Sequence, residues 1–255
     1  MKDFRKRPQR PKKNKLIAGV SAVIDALKNA QSLDRIYLAD SLPASSAKSI
    51  RSLAIDASVP IQVVPTVKLD SFNVGQHEGC IALKSRIVYQ SLQSVIDWAV
   101  GEGRLPLLLM LDGITDIRNI GGIARTAFCT GVDAIIIPDK GVGALQEDAI
   151  LTSAGALEKI AVCRVDSLVK AIDTMHLNGI HVYATQMNGQ LSIEKVDFRE
   201  PCCIIMGSEE KGIYPALLKN ADTTIFIPMK GDFDSFNVSV STGIVLYQAM
   251  KQRMS

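Results

Sequence analysis

The sequence predicts two α/β domains, a small one first and then a larger one with a mostly parallel sheet, and three observations carry that prediction. Short apolar runs of strand length recur along the 255 residues, separated by stretches with helical spacing. Beyond residue 105 those runs are nearly continuous in Leu, Ile, Val and Ala, which is the composition of strands covered on both faces. Hydrophobic residues make up 47% of the chain and charged ones 22%, enough apolar matter to fold a real core rather than stay disordered.

In the first module, Ile17, Val20, Val23, Ile24 and Leu27 fall near helical spacing. The β-like runs Arg35–Ala39 and Ile61–Val64 flank a second helical stretch at Ser46–Ala57, and the module ends with Cys80–Leu83. A polar and then amphipathic stretch, about Lys84–Arg104, reads as a connector, punctuated by Gly101, Gly103 and Pro106. The larger module then presents strands at Leu107–Leu111, Ala134–Ile137, Ile160–Cys163, Ile180–Ala184, Cys202–Met206 and Thr224–Ile227. In open sheets of this kind ligands sit beyond the carboxyl ends of the strands.

Charge is unevenly placed. Residues 1–15 carry eight Lys or Arg against Asp3, a net +7, while the other 240 residues sum to −4. The tail reads either as a solvated leader or as a basic arm for a polyanion such as RNA. Five cysteines without C-x-x-C spacing fit a reducing cytoplasm and not a disulfide framework. The scattered His77, His176 and His181 offer no zinc spacing, and no apolar run is long enough to span a bilayer.

Common enzyme signatures are missing. No G-x-G-x-x-G follows a strand, and Gly207 and Gly212 have P-loop separation but lead into Ile213 and Tyr214 where Lys and Ser or Thr belong. There is no nucleophile elbow and no H-E-x-x-H. Three strand ends carry informative residues instead. In the first, Leu111–Ala127, Asn119 and Arg125 can both face the loop mouth if a helix begins near Asn119; the plainer reading makes Asn119 a cap and Arg125 a surface residue. In the second, Ile204–Ile213, glycines let a ligand approach the backbone, and Glu209 can fix a loop by accepting hydrogen bonds. In the third, Ile225–Val240, Ser235 and Asn237 can orient a hydroxyl, or Ser235 is only a helix cap.

Taken together, in this order and at these intervals, the three segments resemble the three sequence motifs of the SpoU family, the knotted SPOUT methyltransferases, from about Leu107 onward. The first module resembles the substrate-binding domain of the family's ribosomal members through Ala18-Gly-Val-Ser-Ala-Val23 and His77-Glu-Gly-Cys80. The resemblance implies transfer of a methyl group from S-adenosyl-L-methionine to a ribose 2′-hydroxyl of RNA, on a guanosine of 23S ribosomal RNA in the member it fits best. It also implies a ribosomal-protein-like RNA-binding fold, a C-terminal trefoil knot, a homodimer, and no metal or membrane. By motif position Gly207, Ile227 and Phe236, then Thr185 and Met229, would contact the cofactor, and Asn119, Arg125, Glu209, Ser235 and Asn237 would form the catalytic site. Ile117 replaces a usual proline of the pattern, Ser208 a frequent asparagine and Phe236 a usual leucine. The resulting division is a basic tail at 1–15, an RNA-binding domain at 16–84, a linker at 85–104 and a catalytic domain at 105–255. A transfer-RNA ribose methyltransferase and a non-catalytic RNA-binding module stand as alternatives.

Overall fold

The computed structural model describes residues 16–139, 145, 147–231 and 235–254; the basic tail lies outside them. The chain forms two compact units, one ending at Ser85 and one beginning at Arg86. In the first unit the strands β1 (Leu16–Ala18), β2 (Leu33–Ala39), β3 (Ile61–Val64) and β4 (Cys80–Lys84) pair in the order β1-β4-β2-β3. The β2–β3 pair is parallel and the two pairs made by β4 are antiparallel. Helices α1 (Val20–Lys28) and α2 (Ala44–Asp56) bury Val23, Leu27, Ile50 and Ala54 with Ile36 and Leu38 of the sheet, while α3 (Thr66–Asp70) sets Leu69 against Ile81.

The start of this unit differs from the sequence reading. Ile17 is not helical but lies in β1 opposite Ala82, and the helix starts at Val20. Gly19, at φ 100°, makes the corner between them, so an apolar spacing that looks helical runs across a strand–helix junction.

The second unit begins with α4 (Leu92–Gly101). The stretch read as a connector therefore contributes to a core, because Leu92, Val95, Ile96 and Ala99 are buried in this unit. Then follow β5 (Leu107–Leu111), α5 (Ile117–Cys129), β6 (Ala134–Pro138), α6 (Glu147–Thr152), β7 (Ala161–Val165), α7 (Leu168–Leu177), β8 (His181–Thr185), β9 (Leu191–Ser192), β10 (Cys202–Met206), α8 (Pro215–Asn220), β11 (Thr223–Phe226) and α9 (Val238–Arg253). Seven strands pair in the order β7-β6-β5-β10-β8-β11-β9, and every pairing is parallel.

Alternation decides which residue serves which face. Leu107, Leu109 and Leu111 pack with Ile123 of α5 and Leu246 of α9, whereas Leu108 and Met110 pack with Ile96 of α4, Ile172 of α7 and Leu217 of α8. A sheet clothed on both sides explains why its strands read as unbroken apolar runs. The winding runs outward from β5 to β7 and then resumes at β8 on the other side of β10, so the carboxyl ends of β5, β10 and β8 border a crevice of the kind that receives ligands. Among the described residues no helix is long and apolar enough to cross a membrane.

Candidate active site

Three strand ends meet at that crevice. After β10 the chain makes a tight turn in which Ser208 and Gly212 exchange two backbone hydrogen bonds, at 3.1 and 2.9 Å. Gly207 permits this closure, since a Cβ there would stand 2.3 Å from the carbonyl carbon of Gly212. The far end of the turn is pinned to the end of β5 by the Tyr214 backbone N–H, which donates to Asp112 Oδ2 at 2.7 Å.

Glu209, at the tip of the turn, joins the three segments. Its Oε1 accepts from Asn119 Nδ2 of α5 at 3.2 Å, from Asn237 Nδ2 at 2.5 Å and from the Val238 backbone N–H at 3.2 Å. Asn237 also donates to Asn119 Oδ1 at 3.1 Å, and its own Oδ1 accepts from the Ser239 N–H and hydroxyl at 2.9 and 2.6 Å. Asn237 thus caps α9 with its oxygen and ties the segments with its nitrogen. The cap that the plainer reading assigned to Ser235 falls two residues later. Likewise α5 begins before Asn119: Asp116 is its cap, accepting from the Arg118 N–H at 2.8 Å, and the Arg118 guanidinium hydrogen-bonded to it holds the Asp116 carboxyl below its usual pKa.

Beside this junction lies a hollow of about 620 Å³ at the carboxyl ends of β8, β10 and β11. Its lining includes Thr185, Gly207, Ile227, Met229 and Phe236, all five residues nominated for the cofactor, and also Glu209 and Ser235. Thr185 is oriented by donating its hydroxyl to the Ile205 carbonyl at 2.9 Å. The volume falls within the range that holds cofactor-sized molecules, and the walls mix apolar side chains such as Ile225, Ile227 and Phe236 with polar ones such as Gln186, Asn188 and Glu210, which suits an adenosine with a short charged chain. Asn119 and Asn237 stand at the Glu209 junction rather than in the lining.

Arg125 is the nominated residue that the fold does not bring to this junction within one chain. It is exposed on α5, six residues beyond Asn119, and has no hydrogen-bond partner among the described residues. The sequence reading also missed Gln186, Met187 and Asn188, which line the hollow from the loop after β8. Their position just past a strand end was the available signal; their residue types gave none. Among the described residues no three His, Cys, Asp or Glu side chains gather as a metal site.

Comparison with known proteins bears on this arrangement. Residues 106–247 match the family described as the SpoU rRNA Methylase family, and residues 16–86 match the RNA 2′-O ribose methyltransferase substrate-binding domain. A Bacillus subtilis protein named for the TrmH family of tRNA/rRNA methyltransferases is 32% identical over 237 residues, covering 93% of this chain and 95% of that protein. The crystal structure of the SpoU methyltransferase AviRb from Streptomyces viridochromogenes, in complex with AdoMet, superposes with a TM-score of 0.60 at 21% identity, over 94% of this chain and 90% of that one. The A. aeolicus TrmH/SpoU tRNA modifying enzyme gives 0.53 at 28% identity, over 59% of this chain and 77% of that one.

Proposed function

The chain belongs to the SpoU rRNA Methylase family and is an RNA methyltransferase, and from that premise we propose that it transfers the methyl group of S-adenosylmethionine to a ribose 2′-hydroxyl, on a guanosine of large-subunit ribosomal RNA. The observation that carries this reading is the Glu209 junction, where three segments far apart in sequence close beside a hollow of cofactor size. The ribose 2′-hydroxyl is supported by the match of residues 16–86 to an RNA 2′-O ribose methyltransferase substrate-binding domain, and the ribosomal preference by the family's description as an rRNA methylase. Transfer RNA is the second reading, favoured by the likeness to the A. aeolicus tRNA modifying enzyme.

When bound, the sulfonium supplies an electrophilic methyl group with a neutral leaving group, so the chain's contribution is mainly positioning. In this proposal Thr185, Gly207, Ile227, Met229 and Phe236 hold the cofactor, with backbone groups reading the adenine edge. Glu209, Asn119 and Asn237 fix the two loops and the start of α9 against one another, and Ser235 orients the ribose. Asn237 has its amide committed to Glu209 and Asn119 and its oxygen to Ser239, which favours a scaffolding role over direct contact with the ribose. A guanidinium stays protonated, so Arg125 serves as a cation that pairs with an RNA phosphate and stabilises the developing alkoxide; the proton leaves through phosphate or water.

The exposed Arg125, without a hydrogen-bond partner among the described residues, and the exposed Val240 and Tyr247, seven residues apart on α9, support a homodimer in which Arg125 serves the partner's site. The implied trefoil knot belongs to the same proposal: after β11 the chain returns past β8 and β10 to set Asn237 against Asn119. Free, buried Cys80, Cys163, Cys202 and Cys203 support a reducing compartment, the cytoplasm.

The test incubates purified protein and radiolabelled S-adenosylmethionine with unmodified ribosomal RNA and, separately, transfer RNA, beside Arg125→Ala and Asn237→Ala. Label on a ribose of ribosomal RNA, lost in both variants, is the expected result. Label on transfer RNA alone replaces the substrate, and label on a base overturns the reaction.

A further inference from the structure

The end of the second unit away from the candidate active site carries aromatic rings and cations that the proposed chemistry does not use. Arg104, Asp133 and Lys159 precede β5, β6 and β7, three adjacent strands, and together with Trp98 and Phe128 they line a hollow of about 430 Å³ at the amino ends of those strands. Helix α4 buries Leu92, Val95, Ile96 and Ala99 and leaves Trp98 54% exposed, and Phe128 on α5 is 46% exposed. A single exposed ring needs no explanation, but here two open rings line one hollow together. Each ring has a cation above it: the Arg104 guanidinium lies 5.3 Å from the Trp98 ring centroid and Lys159 Nζ lies 5.8 Å from that of Phe128.

Asp133 explains why Arg104 is fixed. Its side chain is 1% exposed, Oδ2 accepts the Leu107 N–H at 2.9 Å and Oδ1 lies 2.6 Å from Arg104 Nη2, so the buried carboxylate anchors a cation whose far side faces the hollow rim. An adjoining hollow of about 620 Å³ shares Arg104 and Asp133 and adds Arg199 and Arg253. The two hollows are lined by Arg104, Lys159, Arg199 and Arg253 against Asp133, with Asp197 and Glu200 beside Arg199, so this end gathers four cations against three carboxylates, on a chain that sums to −4 outside its first fifteen residues.

We propose that this end of the catalytic unit is a second contact surface for single-stranded RNA, in which bases stack on Trp98 and Phe128 and phosphates meet Lys159 and Arg104. The proposal rests on RNA being the substrate. Aromatic faces interleaved with cations bind successive nucleotides without reading sequence, because every base has a π-face and every linkage a charge. The charge of the surface argues for a polyanion and against the basic segment at 1–15 as occupant. Five-residue strands separate this end from the candidate site by roughly 17 Å, so one nucleotide cannot fill both and the surface acts on binding rather than on methyl transfer.

Trp98 is the chain's single tryptophan, so its fluorescence reports this surface alone. The full chain is titrated with a 12-nucleotide oligoadenylate at low salt, following tryptophan emission, while the anisotropy of the same oligonucleotide carrying a fluorescein label reports binding anywhere. Saturable quenching is expected, weakening as salt rises and shifted about tenfold to higher RNA concentration in Lys159→Glu and in Phe128→Leu. Binding by anisotropy without quenching would overturn the proposal, as would quenching by adenosine monophosphate at equal affinity or emission that changes with protein concentration alone, which would mark a nucleotide pocket or a contact between copies. In methyl transfer, Lys159→Glu is expected to raise KM for RNA about tenfold with kcat unchanged. Quenching without any methyl transfer would instead count against the proposed reaction and leave the surface intact.

Discussion

Glu209 and Arg125 are both polar, exposed and near the same helix, yet the fold gives them different tasks. One oxygen of Glu209 gathers three donors from two distant segments. Glu209→Ala should therefore lower stability by roughly 1–2 kcal/mol and reduce kcat by about 100-fold through loss of positioning, measured by urea unfolding and single-turnover transfer. Arg125→Ala removes a side chain without a hydrogen-bond partner among the described residues, so stability should hold within about 0.5 kcal/mol while kcat falls by about 10²–10³-fold. Full activity of Arg125→Ala with a flat pH–rate profile would refute the phosphate-pairing role. The cysteines give a prediction with a definite sign. Burial pushes the thiols of Cys80 and Cys163 up to about 12 and raises those of Cys202 and Cys203, so the reactive thiolate is scarce at all four below strongly alkaline pH. Cys129 is exposed. A colorimetric disulfide reagent at pH 8 should titrate one thiol in the native chain and five after denaturation; two or more fast native thiols would contradict the packing.

At the scale of elements, α9 depends on contacts beyond its own apolar face. Arg253 in its last turn donates from Nε to the Phe198 carbonyl at 2.7 Å and from its terminal nitrogens to the carbonyls of Leu105, Pro106 and Glu200, at 2.5, 3.3 and 2.7 Å. Gln252 adds bonds with the Phe198 N–H and the Val196 carbonyl. Arg253→Ala should cost about 1–3 kcal/mol in chemical denaturation, since four partly buried or exposed carbonyls lose one shared donor. Lysine should rescue little of it, because a point charge cannot reach carbonyls spread around a planar fork. These bonds were not legible in the sequence: Arg253 reads as a basic residue in a last helical turn, and its acceptors come from loops some 50 and 150 positions away. The strands of the larger unit, β9 apart, were by contrast legible to within about two residues, because a run buried on both faces must be apolar throughout. The short α3 and β9 escaped notice, as a single helical turn and a two-residue strand have no period to detect.

For the whole molecule, the proposed dimer is the assembly to test first. Val240 and Tyr247 are 50% and 60% exposed on α9, and replacing both with Glu should yield a monomer by light scattering with an unchanged far-UV spectrum. If Arg125 acts across the interface, methyl transfer by that monomer should fall by at least about 100-fold; a fully active monomer would sink the shared-site arrangement. The division of the second unit into two faces, the parallel strands and the three motif-bearing strand ends were all determined by the sequence, because hydrophobic period and glycine placement are local properties that the chain displays residue by residue. What the sequence could not order was the meeting of those ends. That Asn237 caps α9 while binding Glu209 and Asn119, that α4 belongs to a core, and that Trp98 and Phe128 share a hollow with Arg104, Asp133 and Lys159 from three strand starts are all consequences of strand order. Strand order is decided by which buried faces fit together in three dimensions, and neighbours across a sheet leave no mark in linear spacing.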